Sequence, residues 1–257
     1  MASIFSRSLS TLASCKNATW FASRRGLASA DCKDASSGNK KWLNKCLLLW
    51  QIPYQGPGMR IDETRLQNLF NSSTSAVAFT DTNLDTPPAV VFPGSFNPFH
   101  QGHRQMLTVA SKVLEHPVDL EISIENVDKP ALGAAEIARR ISYLPAEQRI
   151  WVTRAATFAE KSRLFPDCTF VVGVDTIQRL AAAKYYRDSD AASEAIEEIR
   201  AHNCRFLVFG RLVRSRFLEC HDVAIPPRLS EICQPVPSDQ FRVDISSTRL
   251  RQSRKAP

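Results

Sequence analysis

From Pro88 onward the chain alternates short apolar runs with longer stretches of helical periodicity. Segments 89–92, 120–124, 150–152, 169–174 and 205–209 are short and largely β-branched or aromatic. That pattern predicts strands covered on both faces. Between them, 102–115, 133–143, 176–183 and 191–202 read as helices. In the first, Met106, Val109, Ala110 and Val113 recur at three- and four-residue spacing, as one buried helix face requires. Strands alternating with helices predict a parallel sheet between helix layers, a Rossmann-like three-layer α/β sandwich over residues 89–257. Ligands of such sheets sit at the carboxyl ends of the strands.

The pattern before Pro88 is less regular. Segment 41–52 suits a short helix or a buried strand, 51–58 is a Pro/Gly breaker cluster, and 59–70 reads as a helix. Segment 71–88 is polar and ends in Thr86-Pro87-Pro88, which predicts an extended linker. Residues 31–88 are therefore expected to form a poorly ordered, partly disordered extension of unknown role. Residues 1–30 are rich in Ser, Ala and Arg and contain no acid, the composition of an organellar transit peptide. Arg25-Gly26-Leu27 before Ala28-Ser29 resembles a mitochondrial processing site. A mitochondrial location is the expectation, with plastid or cytoplasm as alternatives, and a plain basic tail would share this composition.

Charge sharpens the division. The net charge of +7 resides in the tails, because residues 1–30 and 249–257 each contribute +4 while 31–248 carry 25 basic and 26 acidic side chains. A spread basic surface, the usual footprint of nucleic-acid binding, is not evident. The 7 cysteines include no C-x-x-C pair, which argues against a cysteine-based zinc site and for reduced thiols. No apolar run approaches the length that spans a bilayer.

The densest chemistry follows the first predicted strand, in Pro93-Gly94-Ser95-Phe96-Asn97-Pro98-Phe99-His100-Gln101-Gly102-His103. Gly94 and Ser95 allow backbone to approach a phosphate, and Asn97-Pro98 sets the turn into a helix. His100 and His103 lie one helical turn apart, so their rings can serve one ligand beside a helix N-terminus. Gly102 between them removes a side chain where a base or phosphate would pack. An isolated H-x-x-H would equally suit a helix surface or a shared metal ion. Within this glycine-serine turn it points to donors around a phosphoryl group, with no resident metal.

Two further segments fall on the same predicted edge. Asp244-Ile245-Ser246-Ser247-Thr248-Arg249-Leu250-Arg251 follows a strand-like Phe241-Arg242-Val243 and combines hydroxyls, helix-start N–H groups and guanidinium. Gly173-Val174-Asp175-Thr176 ends a buried strand, and Asp175 is placed to cap the next helix. Lys129 lies in the loop after the second strand and Arg211 after the fifth, where each could reach a ligand or merely be solvated.

The first motif resembles the G-S-F-N-P-x-H-x-G-H signature of the nucleotidylyltransferase superfamily, and the last resembles its I-S-S-T-x-x-R motif. The resemblance covers about residues 90–251 and is strongest to cytidylyltransferase-like proteins related to nicotinamide and nicotinate mononucleotide adenylyltransferases. It implies magnesium-dependent transfer of AMP from ATP to a mononucleotide, with pyrophosphate released. His100, His103 and Arg251 would be catalytic. Gly94, Ser95, Phe96, Gly102, Gly173, Asp175, Ser246, Ser247 and Thr248 would bind the nucleotide, and Lys129, Tyr185 and Tyr186 could touch substrate. Nicotinamide-type enzymes place a tryptophan after G-x-D, whereas this chain has Lys184-Tyr185-Tyr186, so stacking would fall to a tyrosine. Another phosphorylated acceptor, CTP as donor, or a non-catalytic nucleotide-binding role are the alternatives. The implied partners are small nucleotides, not nucleic acid or membrane.

Overall fold

In a computed structural model of the chain, the residues described are 63–71, 75–79, 86–127, 130–182, 186, 188–213 and 216–243. The predicted segments 1–30 and 41–52 lie outside them.

Seven strands form one sheet. They are β1 (Ala76–Phe79), β2 (Val90–Pro93), β3 (Asp119–Ser123), β4 (Ile150–Thr153), β5 (Thr169–Gly173), β6 (Arg205–Phe209) and β9 (Cys233–Val236), in the order β1-β4-β3-β2-β5-β6-β9. All neighbours are parallel except β1, which runs antiparallel to β4. From β2 the chain steps outward to β3 and β4, then returns to β5 and β6 on the other side. The switch point therefore lies between the carboxyl ends of β2 and β5, where such sheets form their crevice.

Two apolar layers sandwich the sheet. On one face, α1 (Glu63–Asn71), α2 (Gln101–Leu114) and α3 (Ala134–Ile141) contribute Leu66, Leu69, Leu107, Ala110, Ile137 and Ile141 against Phe92, Leu120 and Ile122. On the other, α4 (Phe158–Leu164), α5 (Val174–Ala181) and α6 (Ser189–Ala201) belong to a core containing Ile177, Leu180, Ile196 and Ile199 against Val91, Phe170, Val172 and Val208. Successive strand residues face opposite layers, which is why these strands are mostly apolar. β3 departs from this with buried Asp119 and Glu121, paired to Arg149 and Lys161. This is the three-layer α/β arrangement predicted. Among the described residues, no helix is long and apolar enough to cross a membrane.

Three expectations need correction. Residues 76–79 are not linker but the edge strand β1, and Phe79 is buried. Together with Leu66 and Leu69 of α1, that strand makes residues 63–71 and 76–79 part of the sheet body. A four-residue run with two alanines carries too little periodicity to announce itself. Phe241-Arg242-Val243 is not a strand, although Phe241 is buried against Phe209 with ring centroids 4.8 Å apart. The last strand is instead Cys233–Val236, whose Pro235 suits a sheet edge. A small hairpin of β7 (Arg211–Val213) and β8 (Arg216–Leu218) follows β6 and is joined to β9 through α7 (Pro227–Ser230).

Candidate active site

The crevice begins where β2 ends. The Gly94 N–H donates to the Glu121 carbonyl at 2.9 Å, tying the turn to β3. Phe96 then adopts φ 41, a left-handed conformation disfavoured for a bulky residue. Its ring explains why: it folds back beneath Gly94 and meets Phe92, Phe99 and His103 with centroids 5.4, 5.6 and 5.2 Å away. A Cβ on Gly94 would stand 2.6 Å from that ring. The Asn97–Pro98 peptide is cis, and the chain enters α2 with His100 as N-cap.

His100 and His103 stack, with ring centroids 3.7 Å apart and planes 20° from parallel. The His100 backbone N–H donates to His103 Nδ1 at 3.2 Å. Because that nitrogen accepts, the neutral His103 ring carries its proton on Nε2 and can donate there. Phe99 covers the other face of His103 at 5.3 Å. Burial lowers the pKa of His100 to about 4, aided by the Arg211 charge. Burial, then the neighbouring His100 and Arg211, hold His103 well below its ordinary value too. Both imidazoles are thus neutral at pH 7 and act as hydrogen-bonding groups rather than cations. The fixed positive charge comes from Arg211.

Arg211 starts β7, just beyond the end of β6. Its Nη1 lies 2.7 Å from Asp175 Oδ2, joining the ends of β5 and β6. The helix after β5 starts at Val174 with Gly173 as its N-cap and no side-chain cap bond, so Asp175 does not cap it as expected. Asp175 Oδ1 and His100 Nδ1 are instead buried without a hydrogen-bond partner. A Cβ at Gly173 would lie 2.6 Å from Asp175 Oδ1, so this glycine makes room for the carboxylate.

The far end of the chain reaches the same place. A Cβ on Gly102 would meet the His100 ring at 3.1 Å and Val243 Cγ1 at 3.2 Å. Gly102 therefore admits His100 and Val243, not a base or phosphate directly. Val243, the residue before Asp244 in sequence, thus packs against the helix turn that carries both histidines.

Gly94, Ser95, Phe96, His100, Gly102, His103, Gly173 and Asp175 thus gather at the crevice. Tyr186 packs against the α5 and α6 core, and its hydroxyl donates to the Leu180 carbonyl at 3.1 Å. Lys129, Tyr185, Ser246, Ser247, Thr248 and Arg251 lie outside the described residues. Sequence reasoning passed over Phe99, whose only signal was an aromatic at the variable place of N-P-x-H. Among the described residues no third ligating side chain joins the histidine pair; the one such trio is Glu219, His221 and Asp222 on the turn after β8.

A switch-point crevice with a glycine-serine turn, two neutral histidines and a guanidinium defines an α/β nucleotide-binding protein. The cytidylyltransferase-like family model matches residues 91–253, well over half of the chain. The chain belongs to that family, within the nucleotidylyltransferase superfamily, whose members transfer nucleotidyl groups and bind small nucleotides. No curated protein matches the chain.

Proposed function

We propose that the protein transfers AMP from ATP to nicotinamide or nicotinate mononucleotide, releasing pyrophosphate. The observation that carries this reading is the convergence of His100, His103, Arg211 and Val243 on one crevice. A phosphate oxygen of the acceptor attacks the α-phosphorus of the donor. The bond from that phosphorus to the oxygen bridging to the β-phosphorus breaks, and pyrophosphate leaves with the bonding pair. Negative charge grows on the non-bridging and leaving oxygens, so positioned donors are what the reaction needs.

His103 would donate through Nε2–H, with His100 stacked beside it. Arg211 supplies positive charge, and the turn after Gly94 holds phosphate through backbone groups. Ser246, Ser247, Thr248 and Arg251, a few residues beyond Val243, would close over the triphosphate. Asp175 presents a buried carboxylate oxygen without a hydrogen-bond partner, a fitting ligand for magnesium bound to the nucleotide. Magnesium would neutralise phosphate charge. Lys129, Tyr185 and Tyr186 remain the proposed acceptor contacts, and the N-terminal segment is proposed to direct the protein to mitochondria.

The family's description favours a second donor, CTP, with a different phosphorylated acceptor. The deciding experiment is pyrophosphate release from ATP or CTP with magnesium across an acceptor panel that includes both mononucleotides. Release with ATP and a pyridine mononucleotide alone supports the first reading. Release with CTP and another acceptor replaces it, and nucleotide binding without release across the panel overturns both.

A further inference from the structure

Helix α3 approaches the phosphate-binding turn from the side with three charged residues, Glu136, Arg139 and Arg140, at positions i, i+3 and i+4. That spacing puts them on one face, where the acid can hold both bases. The Glu136 carboxylate accepts from Arg139 Nε at 2.7 Å and Nη2 at 2.8 Å, and from Arg140 Nε at 2.8 Å. Each arginine then reaches across 42 or more residues of chain to the turn. Arg140 Nη1 donates to the Ser95 carbonyl at 3.0 Å, and Arg139 Nη2 donates to Asn97 Oδ1 at 3.2 Å.

We propose that Glu136, Arg139 and Arg140 are positioning residues that preset the 94–98 turn for a phosphate group. The inference rests on the nucleotidyl-transfer reading. None of the three needs to touch the ligand. By fixing the Ser95 carbonyl, Arg140 also fixes the Phe96 N–H, which points the opposite way across the same planar peptide. The other end of the turn is pinned by the Gly94 bond to β3. Such restraint is needed because Phe96 holds a left-handed backbone that an unrestrained phenylalanine would leave.

Glu136 is the keystone. Hydrogen bonds from Arg139 and Arg140 hold its pKa down to about 2, so it stays ionised across the neutral range. It orients two guanidiniums that would otherwise splay by repulsion, and leaves the trio with one net positive charge beside an anion site. Arg140 is largely buried at 8% exposure, whereas Arg139 is exposed on the helix surface, so the two contacts can be tested separately.

The test compares full-length wild type with Glu136→Gln, Arg140→Lys and Arg139→Ala. Hydrogen exchange across 94–99 is measured without ligand, and affinities are measured for ATP, CTP, inorganic pyrophosphate, adenosine and cytidine. Glu136→Gln and Arg140→Lys should speed exchange in the turn about tenfold while leaving 169–173 unchanged, as loss of one charge-assisted bond would. Affinity for ATP, CTP and pyrophosphate should fall about tenfold, with the nucleosides unaffected. Arg139→Ala, the variant least able to disturb folding, should show the same split to a smaller degree. Unchanged exchange in the turn overturns the proposal, as does faster exchange with undiminished pyrophosphate affinity. Wild-type protein that binds neither nucleotides nor pyrophosphate would overturn the transfer reading and the phosphate role with it. That outcome is separate because the exchange measurement needs no ligand.

Discussion

Asp175 Oδ2 and Arg211 Nη1 stand 2.7 Å apart across the ends of two neighbouring parallel strands. The pair brings a guanidinium close enough to depress both site imidazoles. Replacing Arg211 with Met should therefore raise the His100 pKa from about 4, without restoring 6.5, because burial remains the larger cause. Imidazole proton shifts followed by NMR across pH 3–8 would show the change. An unaltered titration would mean that Arg211 does not act on the histidines.

The lowered histidine values also set a stability trend. Between pH 6.5 and about 4 the unfolded chain binds protons at His100 that the folded protein does not. Stability must then rise with pH through this window, be fully present above 6.5, and be lost progressively as pH falls toward 4. The buried His103 acts in the same sense. The urea midpoint of wild type should climb from pH 4 to 6.5. A His103→Asn variant should climb less, the difference isolating the ring from the carboxylates that titrate nearby.

Turnover should respond to the same ring differently. With His103 Nε2–H as a donor to developing charge, His103→Asn should lower kcat about 100-fold while changing ATP affinity little. Equal losses in KM and kcat/KM with kcat preserved would assign the ring to ground-state binding instead.

Behind the site, Lys161 and Glu121 form a buried ion pair at 2.6 Å, with Thr153 and the Ala155 carbonyl completing the network. Glu121 is 1% exposed, and its carbonyl receives Gly94. Lys161→Met should cost about 3–5 kcal/mol in denaturant unfolding, because it leaves a buried carboxylate unpaired. Adding Glu121→Gln should recover part of that loss.

The edge strand makes a truncation informative. Cutting the chain at residue 88 removes Leu66, Leu69 and Phe79 from the core. At about 1.5–3 kcal/mol for each buried side chain, the loss approaches the whole stability of an ordinary domain. Such a protein should unfold at much lower denaturant or fail to express in soluble form. Unaltered unfolding would show that β1 and α1 contribute little.

Much of this was legible along the chain. Five parallel strands and the helices α2, α3, α5 and α6 follow from local composition, since strands buried on both faces are largely apolar and helix faces repeat every three to four residues. The short α4 was not read. The turn at Gly94–His103 is legible for a similar reason: its chemistry depends on neighbours in sequence. Segment 76–79 and the strand Cys233–Val236 were not, because an edge strand needs few apolar residues and is defined by the partner it pairs with. Asp175 showed the same limit. Sequence made it a helix cap, while the structure turned it toward Arg211, 36 residues away.

By itself, the sequence determined the alternating α/β layout, the glycine-serine turn and the spacing of His100 and His103, all of which are local periodicities or contiguous motifs. Tertiary structure alone decided that these histidines are neutral, that Arg211 is their charge, that Arg139 and Arg140 grip the turn, and that Val243 meets Gly102. Protonation depends on burial, and ion pairs depend on distances across the fold. Neither quantity exists until strands remote in sequence lie side by side.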